Sequence, residues 1–268
     1  MMESTNLTAA EVAAYHHDGQ LIPENYRMPP ALLTAMQRSV AGVLEHNPDQ
    51  RPENLMNVHL EQGPEGVKGD PAILEYARHP SFLDMVEQLI GPDLILWGVA
   101  LFSKPAGTGL EVPWHQDGHY WPIRPRATCT LWIALDNATP ENGCMRVIPG
   151  SHKRGLLGHR TRDDDGAALN QELSPDEFDE LQARDVALQA GQVSLHDIFI
   201  AHGSCANTSG QPRTGLVYRY MPGTSHFDRS TPAVPGTTGS SRPNYADRPI
   251  FLLRGKDRTG KNDFQRGL

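Results

Sequence analysis

Residues 114–121 have the sequence Trp-His-Gln-Asp-Gly-His-Tyr-Trp, and two of these side chains are of types that bind metals. His115 and Asp117 are two positions apart, so on a β-strand both side chains would leave the same face. Together they supply two of the three ligands of a facial two-histidine, one-carboxylate site, which binds non-heme iron(II) and leaves coordination positions open. A His-X-Asp pair alone is also compatible with a surface histidine or a structurally hydrogen-bonded one.

The sequence around this stretch is typical of a β-rich core. Residues 94–102 form a near-continuous apolar run of strand length, which predicts a buried strand. Further short strands are predicted at 112–115, 128–134, 144–148, 192–196, 198–202 and 213–221. Gly and Pro punctuate the intervals between them, a pattern that predicts a β-sandwich or barrel. We therefore expect a mainly β fold with flanking helices.

Helices are expected outside this core. They are predicted after the capping box at residues 8–11, after the Pro-Pro pair at 29–30, and at 82–90 with Ser81 as the cap. Ser174 and Pro175, followed by two acids, predict another helix from Pro175 to about Ala183. Residues 248–254 are apolar enough to dock on the body of the protein.

The length of 268 residues suits a single domain. Within it we expect N-terminal helices over about residues 1–92, the β core over about 93–222 and a C-terminal tail over 223–268. Residues 153–190 and 222–247 are expected to cover the mouth of the barrel, where ligands enter such folds.

Composition narrows the functional classes. Lys and Arg number 24 against 32 Asp and Glu, for a formal net charge of −8, and no basic stripe is present, which argues against a nucleic-acid partner. No apolar stretch reaches membrane-spanning length, and the N-terminus lacks an apolar signal core, so we expect a cytoplasmic protein without a membrane partner. Cys129, Cys144 and Cys205 are too scattered for a disulfide framework or thiolate metal site and are expected to be buried reduced thiols.

A third candidate ligand lies far downstream. His202 follows a strand-like run and precedes a turn-forming glycine, and strands distant in sequence can face each other across a jelly roll. Arg213 lies eleven residues later, and a buried arginine beside an iron site suits a dicarboxylate because its planar fork meets a carboxylate through two hydrogen bonds. Ser204 can add a hydroxyl donor to the same carboxylate.

At this point the chain resembles the phytanoyl-CoA dioxygenase family, whose members are Fe(II)- and 2-oxoglutarate-dependent oxygenases on a double-stranded β-helix, a cupin-like jelly roll. The resemblance covers about residues 57–219. The motifs that carry it are Trp-His-Gln-Asp-Gly at 114–118, Leu-Trp-Ile-Ala-Leu-Asp at 131–136, Thr-Pro-Glu-Asn-Gly-Cys-Met at 139–145, Pro-Gly-Ser-His at 149–152, His-Gly-Ser at 202–204 and Pro-Arg at 212–213.

The resemblance implies roles for individual residues. His115, Asp117 and His202 would carry the iron, Arg213 and Ser204 would hold the distal carboxylate of 2-oxoglutarate, and O2 would be the oxidant. Trp132 would line the 2-oxoglutarate pocket. Some relatives have a small residue in place of the aspartate and halogenate, so the presence of Asp117 indicates a hydroxylase that acts on a small molecule and releases succinate and CO2.

Other polar and aromatic residues near these motifs have two interpretations. His119, Tyr120, Trp121 and Arg219 are candidates for substrate contacts, although the three aromatic residues could simply pack under a loop. The guanidinium groups of Arg146 and Arg219 could equally form ordinary salt bridges. His196 is expected to support the site or the fold, and His152 to belong to a turn.

Two other functional classes share these sequence features. A cupin-like metal-binding or sugar-epimerase barrel would have the fold without using a keto acid, and Arg213 and Ser204 argue against it. A non-catalytic binding module is the other alternative, and a complete ligand set argues against a dead site. Function resides in the site and not in the fold, so family resemblance alone does not identify the substrate.

Overall fold

The computed structural model describes residues 6–162, 166–232, 234 and 243–267. Helices and two short strands occupy the first part of the chain, as α1 Ala9–Asp18, β1 Gln20–Leu21, α2 Pro30–His46, β2 Leu55–Met56, α3 Ala72–Tyr76 and α4 Pro80–Ile90. The predicted capping box is present, since the Thr8 hydroxyl accepts from the Glu11 amide and the Glu11 carboxylate accepts from the Thr8 amide. Helix α4 begins two residues earlier than predicted, with Pro80 first and His79 as the cap.

From residue 94 onward the regular elements are mainly strands. They are β3 Leu94–Lys104, β4 Val112–His115, β5 Ile123–Arg124, β6 Cys129–Ala134, β7 Met145–Val147, β8 His159–Thr161, β9 Gln171–Leu173, β10 Arg184–Val186, β11 Val193–Asp197, β12 His202–Ser204, β13 Arg213–Pro222, β14 His226–Phe227 and β15 Phe251–Arg254.

Two antiparallel sheets make up the core. The larger has the order β1-β11-β6-β13-β3-β15, with β2 also paired to β3, and the smaller has the order β10-β7-β12-β4. Strands β5 and β14 form a separate pair, as do β8 and β9. Because both large sheets contribute walls to one pocket, the molecule is the predicted mainly β jelly roll with flanking helices.

One face of the larger sheet packs against the helices. Leu216, Tyr218 and Tyr220 alternate along β13 and belong to the main apolar core, which the helices share. The two buried tyrosine hydroxyls donate to carbonyls in α3 and at its end, Tyr218 to Ile73 at 2.9 Å and Tyr220 to Ala77 at 3.0 Å. These bonds satisfy the polar ends of side chains whose rings are fully buried.

The opposite face of the larger sheet lines the pocket. Alternation along β13 directs Arg213, Val217 and Arg219 to this side, and alternation along β6 does the same for Thr130 and Trp132. The period of the strands thus separates an apolar face toward the helices from a face rich in polar side chains.

Two predicted elements differ from the structure. The strand predicted at 198–202 is wrong, because residues 198–201 form a turn in which the Asp197 carboxylate accepts from the Phe199 amide at 2.8 Å, and β12 begins only at His202. The helix predicted from Pro175 to about Ala183 is also wrong. Two short 3-10 turns stand there, separated by an extended Phe178 whose ring packs 5.4 Å from that of Trp114.

The C-terminal segment docks as predicted. Strand β15 pairs with β3, opposite Leu94 to Leu96. Strands β1 and β2, from the region of the N-terminal helices, also join the larger sheet. None of the helices in the described residues is long and apolar enough to cross a bilayer.

Candidate metal centre and active-site pocket

The structure brings His115, Asp117 and His202 together. His115 is the last residue of β4 and pairs across the sheet with His202, the first residue of β12, so their rings lie 4.1 Å apart between centroids. Asp117 is not on the strand, since it begins a short 3-10 turn just beyond it. One potential ligand atom from each of the three buried residues lies within 4.8 Å of the others, and this is the one such group of histidine, cysteine and acidic residues in the described part of the chain.

Backbone carbonyls fix the orientation of both imidazoles. The Nδ1 atom of His115 lies 2.8 Å from the carbonyl oxygen of Pro113, and that of His202 lies 3.0 Å from the carbonyl oxygen of Ile200. A carbonyl only accepts, so each Nδ1 carries the proton and each Nε2 keeps its lone pair. Ring orientation by a hydrogen bond on the other nitrogen is typical of metal-binding histidines.

Charge at the three residues matches a divalent metal. Burial lowers the pKa of both His115 and His202, so both rings are neutral at neutral pH. Burial alone would raise the pKa of Asp117, but contact with His196 and the neighbouring His202 and Arg219 hold that pKa at about 2. One carboxylate and two neutral nitrogens are the donors of a 2-His-1-carboxylate site, and the residues present therefore fit iron(II).

His196 stands behind the carboxylate. Its Nε2 atom lies 3.6 Å from Oδ2 of Asp117, and its ring is 5.0 Å from that of His202. Pairing of β11 with β6 places it opposite Thr130 on the pocket side of the larger sheet. This position agrees with the supporting role predicted from the sequence.

Arg213, Trp132 and Ser204 line the same pocket as the three candidate ligands. The buried Arg213 guanidinium donates from Nε to the carbonyl of Gly143 at 3.1 Å, and it lies 5.6 Å from the centre of the Trp132 ring. Burial lowers the pKa of Arg213 to about 10, so the group stays cationic at neutral pH. No carboxylate in the described residues lies within ion-pair distance of it, so it is free to receive one from a ligand.

Gly215 makes the Arg213 arrangement possible. A Cβ atom built on Gly215 would lie 2.1 Å from the Trp132 ring, so the ring occupies the space that any other residue would fill. At Gly98, on the neighbouring strand, a Cβ would meet Arg219 at 3.6 Å, an ordinary contact. Gly98 can therefore serve as a control for Gly215, because both lie in strands but only Gly215 has no room for a methyl group.

Gly215→Ala should lower the free energy of unfolding by about 1–3 kcal/mol, the usual cost of overpacking. Gly98→Ala should have a much smaller effect or a slightly stabilising one, because the added methyl has room and the unfolded chain loses freedom. Urea denaturation of both variants checks the difference. Equal losses in the two would show that Trp132 does not need the space above Gly215.

The sequence did not reveal the role of Lys104, which ends β3 and is 1% exposed. Its Nζ atom donates to the carbonyls of Ser204 and Cys205 and so ties the end of β12 to β3. Burial, reinforced by the charge of Arg213, lowers the pKa of Lys104 to about 7. The available signal was a single lysine at the end of an apolar strand.

Lys104 should give stability a measurable dependence on pH. Between the lowered folded pKa of about 7 and the ordinary value of 10.5, the unfolded chain holds more protons than the folded protein. Stability contributed by this group therefore rises with pH across that window. Lys104→Gln keeps a donor for the two carbonyls but cannot titrate, so wild-type stability should increase relative to the variant from pH 7 to 10 in urea denaturation. A constant difference would contradict the lowered pKa.

The other predicted substrate residues divide into two groups. Tyr120, Trp121 and Arg219 line the pocket, whereas His119 does not and instead stacks on His159, with ring centroids 4.0 Å apart. Arg146 lies outside the pocket lining and forms salt bridges with Glu180 and Asp185, which is the second of the two interpretations given above for this residue. His152 lies in a 3-10 turn beside α1, as predicted.

Both segments expected at the mouth contribute to the pocket. Leu169 and Asn170 line it from the first, and Val234, Pro243 and Tyr245 line it from the second. Arg248, also a lining residue, was not predicted from the sequence, and neither was its buried partner Glu65.

Comparison with known proteins gives consistent results. The family model for phytanoyl-CoA dioxygenase matches residues 7–215. A probable phytanoyl-CoA dioxygenase of Caenorhabditis elegans is 31% identical over 159 residues, covering 56% of this chain and 51% of that protein. A methylphosphonate hydroxylase of Gimesia maris is 34% identical over 175 residues, covering 60% of this chain and 62% of that protein. The chain spans about half the length of most of the curated relatives it matches.

The fold also matches solved structures. The apo form of the non-heme monooxygenase ThoJ superposes with a TM-score of 0.70 at 27% sequence identity, covering 92% of this chain and 84% of that one.

Proposed function

Because the chain belongs to the phytanoyl-CoA dioxygenase family, we propose that it is a non-heme Fe(II)- and 2-oxoglutarate-dependent dioxygenase that hydroxylates a small molecule. The observation that carries the proposal is a single pocket holding two neutral histidines, an ionised aspartate and a buried guanidinium without a carboxylate partner among the described residues. The first three groups fit a divalent metal, and the fourth fits the far end of a keto acid.

His115, Asp117 and His202 would hold the iron. When bound, the metal would activate O2 and supply the oxidising power that converts 2-oxoglutarate to succinate and CO2 and hydroxylates the substrate. The protein contributes ligands that need no rearrangement, because the carbonyls of Pro113 and Ile200 already keep both Nε2 lone pairs available.

Arg213 would bind the distal carboxylate of 2-oxoglutarate. A guanidinium offers two parallel hydrogen bonds to a carboxylate, and the low dielectric of the pocket strengthens them. Trp132 packs on the guanidinium and restricts its rotation, while Ser204 lies two residues from His202 and offers a hydroxyl. The bonds from Arg213 to the carbonyls of Gly143 and Phe102 hold it in place before the ligand arrives.

The substrate would bind beside Tyr120, Trp121 and Arg219, which line the same pocket as the candidate ligands. His119, which the sequence placed among the substrate residues, is left out of this proposal because His159 covers its ring. By their names, the relatives act on phytanoyl-CoA and methylphosphonate, and neither compound is assigned to this chain.

Binding and turnover measurements test the proposal together. Under anaerobic conditions the protein should bind iron(II) and then 2-oxoglutarate, and in air it should form succinate only when both are present. Metal binding without any affinity for 2-oxoglutarate would instead support the cupin-like alternative. Retained iron and keto acid without turnover across a broad panel of small molecules would support a binding module.

A further inference from the structure

A second arginine enters the pocket from β13. Arg219 lies six residues after Arg213, and even spacing directs both side chains to the same face of the strand. At about 3.3 Å per residue, their Cα atoms are roughly 20 Å apart, and their guanidinium groups pack on different rings, Arg213 on Trp132 and Arg219 on Trp121. Arg219 is therefore a separate feature of the pocket and has no role in the proposed binding of 2-oxoglutarate.

The surroundings of Arg219 are aromatic. Its guanidinium carbon lies 4.7 Å from the centre of the Trp121 ring, 5.7 Å from that of Trp97 and 5.8 Å from that of Phe102. The residue is 5% exposed, and among the described residues its guanidinium makes a hydrogen-bond contact with the sulfur of Met56 alone, a weak acceptor at 3.9 Å. Its buried Nε–H has no partner in the described residues.

Neighbouring charges do not neutralise this guanidinium. The carboxylate of Glu65 is already engaged by Arg248 at 2.7 Å and by the side chain of Asn57 at 2.6 Å. Burial lowers the pKa of Arg219 to about 10, and the charge of Arg248 adds to that effect, yet the group remains cationic at neutral pH. Asp117 is the acid whose charge favours the cation, and it is proposed to bind the metal.

When iron(II) and 2-oxoglutarate are bound, the positive charge of Arg219 has no negative charge in the pocket to balance it. If iron(II) and 2-oxoglutarate bind as proposed, their charges cancel together with those of Asp117 and Arg213. Glu65 and Arg248 cancel each other as a buried pair with side chains 1% exposed. One excess positive charge then remains, in a place where an uncompensated charge is strongly unfavourable.

We propose that Arg219 binds an oxyanion of the substrate, a carboxylate or a phosphonate, and thereby makes the enzyme specific for small organic acids. This inference rests on the proposed function for the identity of the neighbouring ligands. Met56, Phe102 and Val217 line the same pocket and provide apolar contacts for a short carbon chain attached to the anion. Oxyanion recognition by a buried guanidinium uses the planar donor fork that lysine lacks.

Equilibrium binding to anaerobic protein, loaded with Mn(II) and saturated with 2-oxoglutarate, tests this site without turnover. Saturation keeps Arg213 occupied, so added acids report on the second site. The probes are butyrate and propylphosphonate as the two anion classes, with butyramide and butanol as neutral controls. Wild-type protein should bind at least one anion and neither neutral compound, and the arm that binds identifies the head group. Equal binding of butyramide and the acids would overturn the proposal.

Arg219→Gln should weaken binding of the anion by at least about 30-fold, the usual loss when one partner of a buried charge pair is removed. Its affinity for 2-oxoglutarate should change less than twofold, which also shows that the variant is folded. Arg219→Lys keeps the charge and should retain binding of the acid over the amide even if the glutamine variant does not fold. Unchanged anion affinity in Arg219→Gln, or no preference for acids in Arg219→Lys, would overturn the assignment.

Failure of the proposed function gives a different result. In that case the wild-type protein would not bind 2-oxoglutarate at all, whereas binding of the acids that depends on Arg219 could still be measured. Failure of the present inference alone would leave metal and keto-acid binding intact and remove only the Arg219-dependent preference for anions.

Discussion

Asp117→Ala is expected to lower 2-oxoglutarate-dependent succinate formation by more than about 100-fold. Removing a residue that only hydrogen-bonds a metal ligand already costs up to about 100-fold, and the loss of a ligand itself should cost more. Asp117 is the anionic member of the candidate ligand group, and its pKa of about 2 gives it a full charge at neutral pH. Without it, two neutral imidazoles must hold a dication alone. Succinate measured after mixing protein, iron(II), 2-oxoglutarate and ascorbate in air gives the result directly, with ascorbate supplying the two electrons that a substrate would otherwise provide.

Asp185→Ala is the matched control. Asp185 lies on β10, pairs with Arg146 at the surface and has a side chain 46% exposed. Its loss should leave turnover unchanged. Near wild-type turnover in Asp117→Ala would remove the aspartate from the metal site and with it the assignment of the three ligands.

Arg213→Met is expected to raise the KM for 2-oxoglutarate by at least about 30-fold. The variant removes the buried cation and leaves the ligand carboxylate unpaired, which typically costs 2–5 kcal/mol. Methionine retains much of the apolar packing against Trp132, so the loss should be in binding and not in folding. Steady-state kinetics with 2-oxoglutarate varied, supported by a direct binding titration, measures the effect.

Arg146→Met controls for the loss of one arginine. Arg146 packs 5.5 Å above the Trp114 ring and pairs with Glu180 and Asp185 outside the pocket lining, so its removal should not alter this KM. Arg213→Lys should recover only part of the affinity, because an ammonium group cannot make the two parallel bonds. A wild-type KM in Arg213→Met would place the keto acid elsewhere.

Much of the fold followed from sequence patterns that act locally. The capping box at residues 8–11, the apolar run that became β3 and the turn residues around the short strands all appear close to their predicted bounds. The helix expected after Ser174 is absent because a contact with a residue distant in sequence outweighs the local signals. Its cap and acidic first turn are local signals, but packing of Phe178 against Trp114 favours an extended residue in the middle of the segment.

The candidate site shows the same division. The sequence identified His115, Asp117 and His202 as candidate ligands from their residue types. Their proximity in space depends on the pairing of β4 with β12, which is set by the whole sheet. Asp117 converges from a turn, not from the strand position assumed from the spacing. Lys104, Glu65 and Arg248 gave no recognisable motif, because each is functional only through partners far away in sequence.

A crystal structure of the protein with iron(II) and 2-oxoglutarate, prepared without oxygen, tests the central claim most directly. We expect anomalous density for iron in contact with the Nε2 atoms of His115 and His202 and a carboxylate oxygen of Asp117. The distal carboxylate of 2-oxoglutarate should lie against the Arg213 guanidinium. Iron bound elsewhere, or a keto acid whose distal end turns away from Arg213, would contradict the account.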